Sequence, residues 1–156
     1  MLATLLVLGT ILVDQISKYF AVMYLENQEP FVIIDNFLKL NYVRNPGAAW
    51  GILQNQRTFF IILTSLVIIG ILVYIKSNKN LTKLTRYSLF MIIGGAIGNL
   101  IDRIRLAYVV DFIDVTFGKL YDFPVFNFAD TFIVIGTFLM IYLIMTNKYE
   151  IEVEKE

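Results

Sequence analysis

Thr58 to Ile75 reads TFFIILTSLVIIGILVYI, eighteen residues without a charge, and this run decides the fold class. A helix needs roughly 20 apolar residues to cross a bilayer core, so the run reads as a membrane span. Three more apolar runs surround it, at about residues 2–25, 87–101 and 128–145. The third is short and needs flanking residues or local thinning to cross. It is rich in glycine, and Gly94 and Gly98 are spaced for close helix packing. The whole chain is 58% hydrophobic and only 17% charged, against roughly 25% in a soluble domain. Its net charge is zero, so no basic field suggests a nucleic-acid partner. The first run has no basic residue before it and no clear cleavage site, so it reads as a retained span rather than a signal peptide.

The segment between spans two and three carries Lys76, Lys79, Lys83 and Arg86 and no acid, which places it in the cytoplasm. Both termini then fall in the cytoplasm, and segments 26–57 and 102–127 lie on the outer side. In the first of these, Leu38, Leu40 and Tyr42 alternate with Lys39, Asn41 and Val43, a strand pattern. Phe31 to Ile34 precedes it, with Asp35 and Asn36 as a turn. The expected fold is an all-α membrane protein of one domain, residues 1–156. It has four transmembrane helices, a small outer-side β-sheet and a second outer-side loop element.

The chain has neither histidine nor cysteine. That excludes a Ser-His-Asp triad and a thiolate nucleophile, and makes a zinc site unusual. Carboxylates are left as the first candidates for catalysis. Asp111, in Val109-Val110-Asp111-Phe112, and Asp130, in Phe126-Asn127-Phe128-Ala129-Asp130, each lie beside a strongly apolar stretch. Asn127 and Asp130 have the spacing of a helix capping box. If the segment around Asp111 is extended, Val109, Ile113 and Val115 share its face, and such neighbours raise its pKa. Two close carboxylates in contrasting settings would share a proton, with Asp130 ionised and Asp111 protonated.

Other polar residues also need partners. Asp14 and Lys18 share a helix face, either as an ion pair or as a polar wall of a substrate groove, with Lys18 free to snorkel outward. Asn99 and Arg103 are also four apart and could orient carboxylates or hold a lipid phosphate or ester. In Asn45-Pro46-Gly47-Ala48-Ala49-Trp50, Gly47 frees the backbone, the alanines permit close approach and Trp50 suits an interfacial anchor. The residues alone leave rival readings open. A Ser17–Lys18 peptidase is one, although adjacent helical residues do not face each other. A small transporter using Asp14, Asp111 and Asp130 as ion sites is another. An assembly partner whose polar residues only tune packing is a third.

Five motifs together resemble the lipoprotein signal peptidases, the signal peptidase II family. They are Asp14-Gln15-Ile16-Ser17-Lys18, Asn45 to Trp50, Gly98-Asn99-Leu100-Ile101-Asp102-Arg103, Val109 to Phe112, and Phe126 to Asp130, in the family's order and spacing. The resemblance implies an aspartyl endopeptidase of the bacterial plasma membrane, with its site at the outer face and no metal or other cofactor. It implies cleavage of diacylglyceryl-modified prolipoproteins just before the lipidated cysteine. The catalytic dyad maps onto Asp111 and Asp130. Substrate-binding or dyad-supporting positions map onto Asp14, Lys18, Asn45, Gly47, Asn99, Asp102, Arg103 and Asn127. Membrane lipids and globomycin-type inhibitors are implied ligands, and a monomer is the expected working unit. Trp50 stands where many members have Phe, and the basic residues that often precede the first span are missing.

Overall fold

The computed structural model describes residues 2–47, 52–118 and 121–151; Ala48, Ala49 and Trp50, read above as close-packing residues and an anchor, lie outside them. Among the described residues four helices are long and apolar enough to cross a membrane: α1 (Leu2–Leu25), α2 (Arg57–Ser77), α3 (Lys83–Leu106) and α4 (Phe128–Met145). Three of them agree closely with the hydropathy reading. The third does not stop at 87 and 101 but runs for 24 residues, so Asp102 and Arg103 belong to a helix and not to an outer loop. Hydropathy ends where charges begin; the helix continues because those charges find partners inside the protein. Its start is capped by Thr82, whose side chain accepts from the Thr85 amide.

The glycines of α3 let it sit between α1 and α4. A Cβ on Gly94 would meet Thr10 of α1, and one on Gly95 would strike the Ala129 carbonyl of α4. One on Gly98 would lie 2.5 Å from the Asp14 carboxylate and 3.3 Å from Ala129 Cβ. From the other side, Gly136 of α4 leaves room for the Ser88 carbonyl of α3. Helix α2 differs: it packs on α3 but buries none of its residues.

At one end of the helices lies an antiparallel sheet, in the order β1 (Phe31–Ile34), β2 (Leu38–Asn45), β3 (Val109–Phe117), β4 (Tyr121–Asp122). The β1–β2 turn falls at Asp35 and Asn36 as expected, with Asn36 left-handed at φ 57. The second segment, expected as a loop element, instead supplies half of the sheet. Val110 and Phe112 of β3 pack with Ala21 at the end of α1, which seats the sheet on the helices. Between Leu40 and Val43 the β2–β3 register slips: β2 advances three residues while β3 goes two, from Ile113 to Asp111. This bulge sets Val43 opposite Asp111 and Asn45 opposite Val109, so Asn45 comes to the face that carries Asp111. At the other end of the helices the chain after α4 bridges back to the α2–α3 connection, Leu81 pairing with Glu150.

Gly98→Ala should lower the thermal midpoint in detergent, since overpacking a tight contact costs about 1–3 kcal/mol. Gly70→Ala, in α2 where nothing lies within 4 Å, should leave it unchanged or raise it. Equal midpoints for the two variants would contradict this account of α3 packing.

Candidate active site

The site is built from a buried cation outward. Lys18, on α1 and only 3% exposed, donates its ammonium to three acceptors. They are Asp14 Oδ2 and Asp102 Oδ2, each at 2.9 Å, and Asn99 Oδ1 at 2.8 Å. An ammonium has three hydrogens, so its donor capacity is filled. Lys18 therefore does not snorkel, and Asp14 and Lys18 are not a groove wall: both are buried, and neither lines the cavity onto which Asp111 and Asp130 open. The ion pair is the reading that holds, extended by Asp102 and Asn99.

Each member of this cluster holds a piece of backbone or a further side chain. Asp14 Oδ1 accepts from the Ala129 amide in the first turn of α4 at 2.9 Å. Asp102 Oδ2 accepts from the Val110 amide at 3.1 Å, fixing β3 one residue before Asp111. Asn99 gives its oxygen to Lys18, which turns its amide group to Asp130 Oδ1 at 2.7 Å. Asn127 caps α4: its side chain accepts from the Asp130 amide at 2.9 Å, and Asp130 Oδ2 accepts from the Asn127 amide at 3.2 Å. The capping box read from the sequence is present, and Asn127 Nδ2 also donates to Asp111 Oδ1 at 2.6 Å and to Asn99 Oδ1 at 3.1 Å.

Asp111 and Asp130 are thus connected through two amides, Asn127 and Asn99. Phe126 brings the two segments together, because its backbone pairs with Ile113 in both directions just before α4 begins. The second oxygen of Asp111 accepts from Asn45 Nδ2 at 2.9 Å, a contact that the bulge in β2 makes available. Burial first, and the neighbouring charge of Asp130 second, push the Asp111 carboxyl up to about 7, against the Asn45 and Asn127 amides and Lys18, which favour its charged form. Among the described residues no buried side-chain nitrogen or oxygen lacks a hydrogen-bond partner.

In front of this network is a cavity of about 490 Å³. Its polar side chains are Asn45, Asn99, Arg103, Asp111, Asp130 and Thr131, and Gly47 contributes backbone. Phe123 to Phe126 and, on α4, Val134 and Ile135 make it apolar elsewhere. Among the described residues Arg103 meets no carboxylate directly. It donates to the Gly47 carbonyl at 3.1 Å and lies over the Phe60 ring, 4.9 Å from its centroid. Position 47 has no room for a side chain, since a Cβ on Gly47 would lie 2.6 Å from the Ile52 carbonyl. Asp14, Lys18, Asp102 and Asn127 stand behind the cavity lining and support it. Ser17 gives its hydroxyl to the Asp14 carbonyl at 2.7 Å, and Lys18 is fully engaged elsewhere, so the two do not form a Ser-Lys pair.

Residues 6–146 match the family model described as signal peptidase (SPase) II. The chain belongs to the signal peptidase II family. It is similar to the lipoprotein signal peptidase of Caldanaerobacter subterraneus subsp. tengcongensis, 47% identical over 92% of this chain and 96% of that one. The lipoprotein signal peptidase of Clostridium tetani is 42% identical over 94% of each chain. A solved bacterial membrane enzyme, determined by the in meso method at 2.3 Å, shares the fold with a TM-score of 0.84 and 35% identity, over 97% of this chain and 94% of that one. Membership in the family, with four apolar helices, makes the chain a multi-pass membrane protein and a protease.

Two residues of the site region were not assigned from sequence. Gln15 Nε2 reaches Asp102 Oδ1 at 3.0 Å and the Gly98 carbonyl at 3.2 Å, linking α1 to α3. Its signal was an amide beside Asp14 in an apolar span. Arg57 reaches the end of α3; its signal was a lone cation at the start of the second span.

Lys18→Met would leave Asp14 and Asp102 buried without their cation. Breaking a buried pair from one side costs about 3–5 kcal/mol. The variant should therefore show a markedly lower thermal midpoint and yield of folded protein in detergent; wild-type stability would remove Lys18 from the centre of the site.

Proposed function

We propose that the chain is an aspartyl endopeptidase, with Asp111 and Asp130 as its catalytic pair. It removes the signal peptide from diacylglyceryl-modified prolipoproteins, cutting just before the lipidated cysteine. The observation that carries this reading is that both carboxylates open onto one cavity while amides hold them from behind. Like charges that act on each other across one cavity favour a shared proton. Water held between them loses a proton to the ionised carboxylate as it attacks the scissile carbonyl, while the protonated partner donates to the carbonyl oxygen. Collapse of the tetrahedral intermediate breaks the C–N bond as the carboxyl that took the proton from water passes one to the leaving amine; because water is the nucleophile, no acyl-enzyme forms.

The apolar side of the cavity supports the substrate class. Val134 and Ile135 line it and are also half exposed on the flank of α4, so the cavity is continuous with the lipid-facing surface. The signal-peptide segment would enter from the membrane along this flank, with the diacylglyceryl chains remaining among membrane lipids. The basic connection between α2 and α3 argues for a cytoplasmic position of that end and of both termini, with the sheet and the site at the outer face. Both carboxylates come from one chain, which makes the monomer a sufficient working unit. A globomycin-type inhibitor would occupy the same cavity.

Asp111→Asn and Asp130→Asn should each abolish cleavage of a lipidated prolipoprotein in a gel-shift assay, while the protein still folds in detergent. Wild type should leave the unlipidated form intact. An active Asp111→Asn variant would sink the dyad.

The pH dependence has a definite sign. The pair needs one proton, and Asp111 releases its own at about 7. kcat/KM should therefore fall as pH rises beyond that value; a rate still climbing at pH well above about 7 would contradict the assignment.

A further inference from the structure

Arg57 is the first residue of α2, and its guanidinium reaches away from its own helix. Nε donates to the Arg103 carbonyl at 2.8 Å and Nη2 to the Ile104 carbonyl at 2.6 Å. These carbonyls lie in the last turn of α3, where the helix lacks further N–H partners and carries the negative end of its dipole. The contact is crossed by a second one, from Arg103 back to Phe60 of α2. Because α2 buries no residue fully, these polar contacts add to its half-buried packing in holding its sheet end against α3.

The last turn of α3 carries two parts of the cavity. Arg103 lines the cavity directly. Ala107 then turns the chain in the left-handed region at φ 71, and β3 starts at Val109 and delivers Asp111. One cavity cation and one cavity carboxylate therefore extend from the turn that Arg57 holds.

We propose that Arg57 is a positioning residue for peptide cleavage, holding the last turn of α3 so that Arg103 and Asp111 keep their places in the cavity. The proposal rests on the reading of that cavity as the active site. It concerns kcat more than KM, since Arg57 itself does not line the cavity.

The test measures kcat and KM across pH on a diacylglyceryl-modified prolipoprotein. It uses the full chain with Arg57→Lys, Arg57→Gln or Arg57→Ala, beside Asp130→Asn and Thr85→Val. Thr85 is buried at the far end of α3, bonded to the Tyr149 carbonyl, and serves as a control for lost stability. Arg57→Lys keeps a cation at the carbonyls and should retain most of kcat/KM. Arg57→Gln and Arg57→Ala should lose about tenfold to a hundredfold, mainly in kcat, because a misplacement of about 1 Å can cost that much. Their alkaline limb should also be displaced, while Thr85→Val keeps the wild-type profile. If Arg57→Ala does not fold, Arg57→Lys against Arg57→Gln decides. Wild-type kcat and pH profile in Arg57→Gln overturn the positioning role, as does a Thr85→Val profile that moves in the same way. Full activity in Asp130→Asn overturns the reading of the cavity, and the role of Arg57 falls with it.

Discussion

A lysine ammonium buried among apolar helices must fill all its donors or unfold its surroundings. Lys18 fills them with Asp14 from its own helix and with Asp102 and Asn99 from α3. Charge compensation alone would need one carboxylate; two carboxylates and an amide leave the cluster acidic and well supplied with acceptors. Those acceptors are what the neighbouring elements use: Asp14 takes the Ala129 amide of α4, and Asp102 takes the Val110 amide of β3. The cation thus joins the three helices and the strand on which the candidate carboxylates ride. Gly98 belongs to the same constraint, because any side chain there would push into the Asp14 carboxylate.

From this base, orientation passes outward one hydrogen bond at a time. With its oxygen committed to Lys18, Asn99 has only its amide group to offer Asp130. Asn127, fixed as the cap of α4, offers its amide group to Asp111. Two carboxylates that would otherwise repel and drift are each aimed by an amide whose other end is occupied. Preorganisation of this kind keeps reacting groups in place without a further ordering cost at the moment of reaction. The elevated proton affinity of Asp111 follows from the same enclosure, since burial is its main cause and Asp130 its second.

Much of this was legible from residue order. Long apolar runs announced the helices, Asn127 and Asp130 announced a capping box, and the absence of histidine and cysteine directed attention to carboxylates. Hydropathy misjudged α3, because a window that counts charges as exposed cannot see that Asp102 will be neutralised from another helix. The alternation in β2 was legible only up to the bulge. A regular continuation would have set Tyr42 opposite Asp111; the extra residue sets Val43 there and brings Asn45 to that face instead. Instead, Tyr42 packs with Val110 and Phe112 on the side facing α1. The strand in the second segment was only a conditional reading, because Asp111 and Asp114 interrupt its apolar residues and their burial depends on partners far away in sequence.

The sequence by itself determined three of the four spans and the middle of the third, the chemical class of the available catalytic groups, and the local start of α4, since each depends on residues within one turn or one apolar run. Only the tertiary structure decided that Lys18 points inward and not to the interface. It also decided that Asp14 and Asp102 stand behind the cavity and that Asn45 and Asn127 each hold one oxygen of Asp111. These outcomes depend on strand register and on hydrogen-bond partners more than sixty residues apart in several cases, as in Asn45 with Asp111 and Lys18 with Asn99. A buried donor takes whichever acceptor the packed helices present, and that is settled by the packing as a whole, not by the residue's own neighbours.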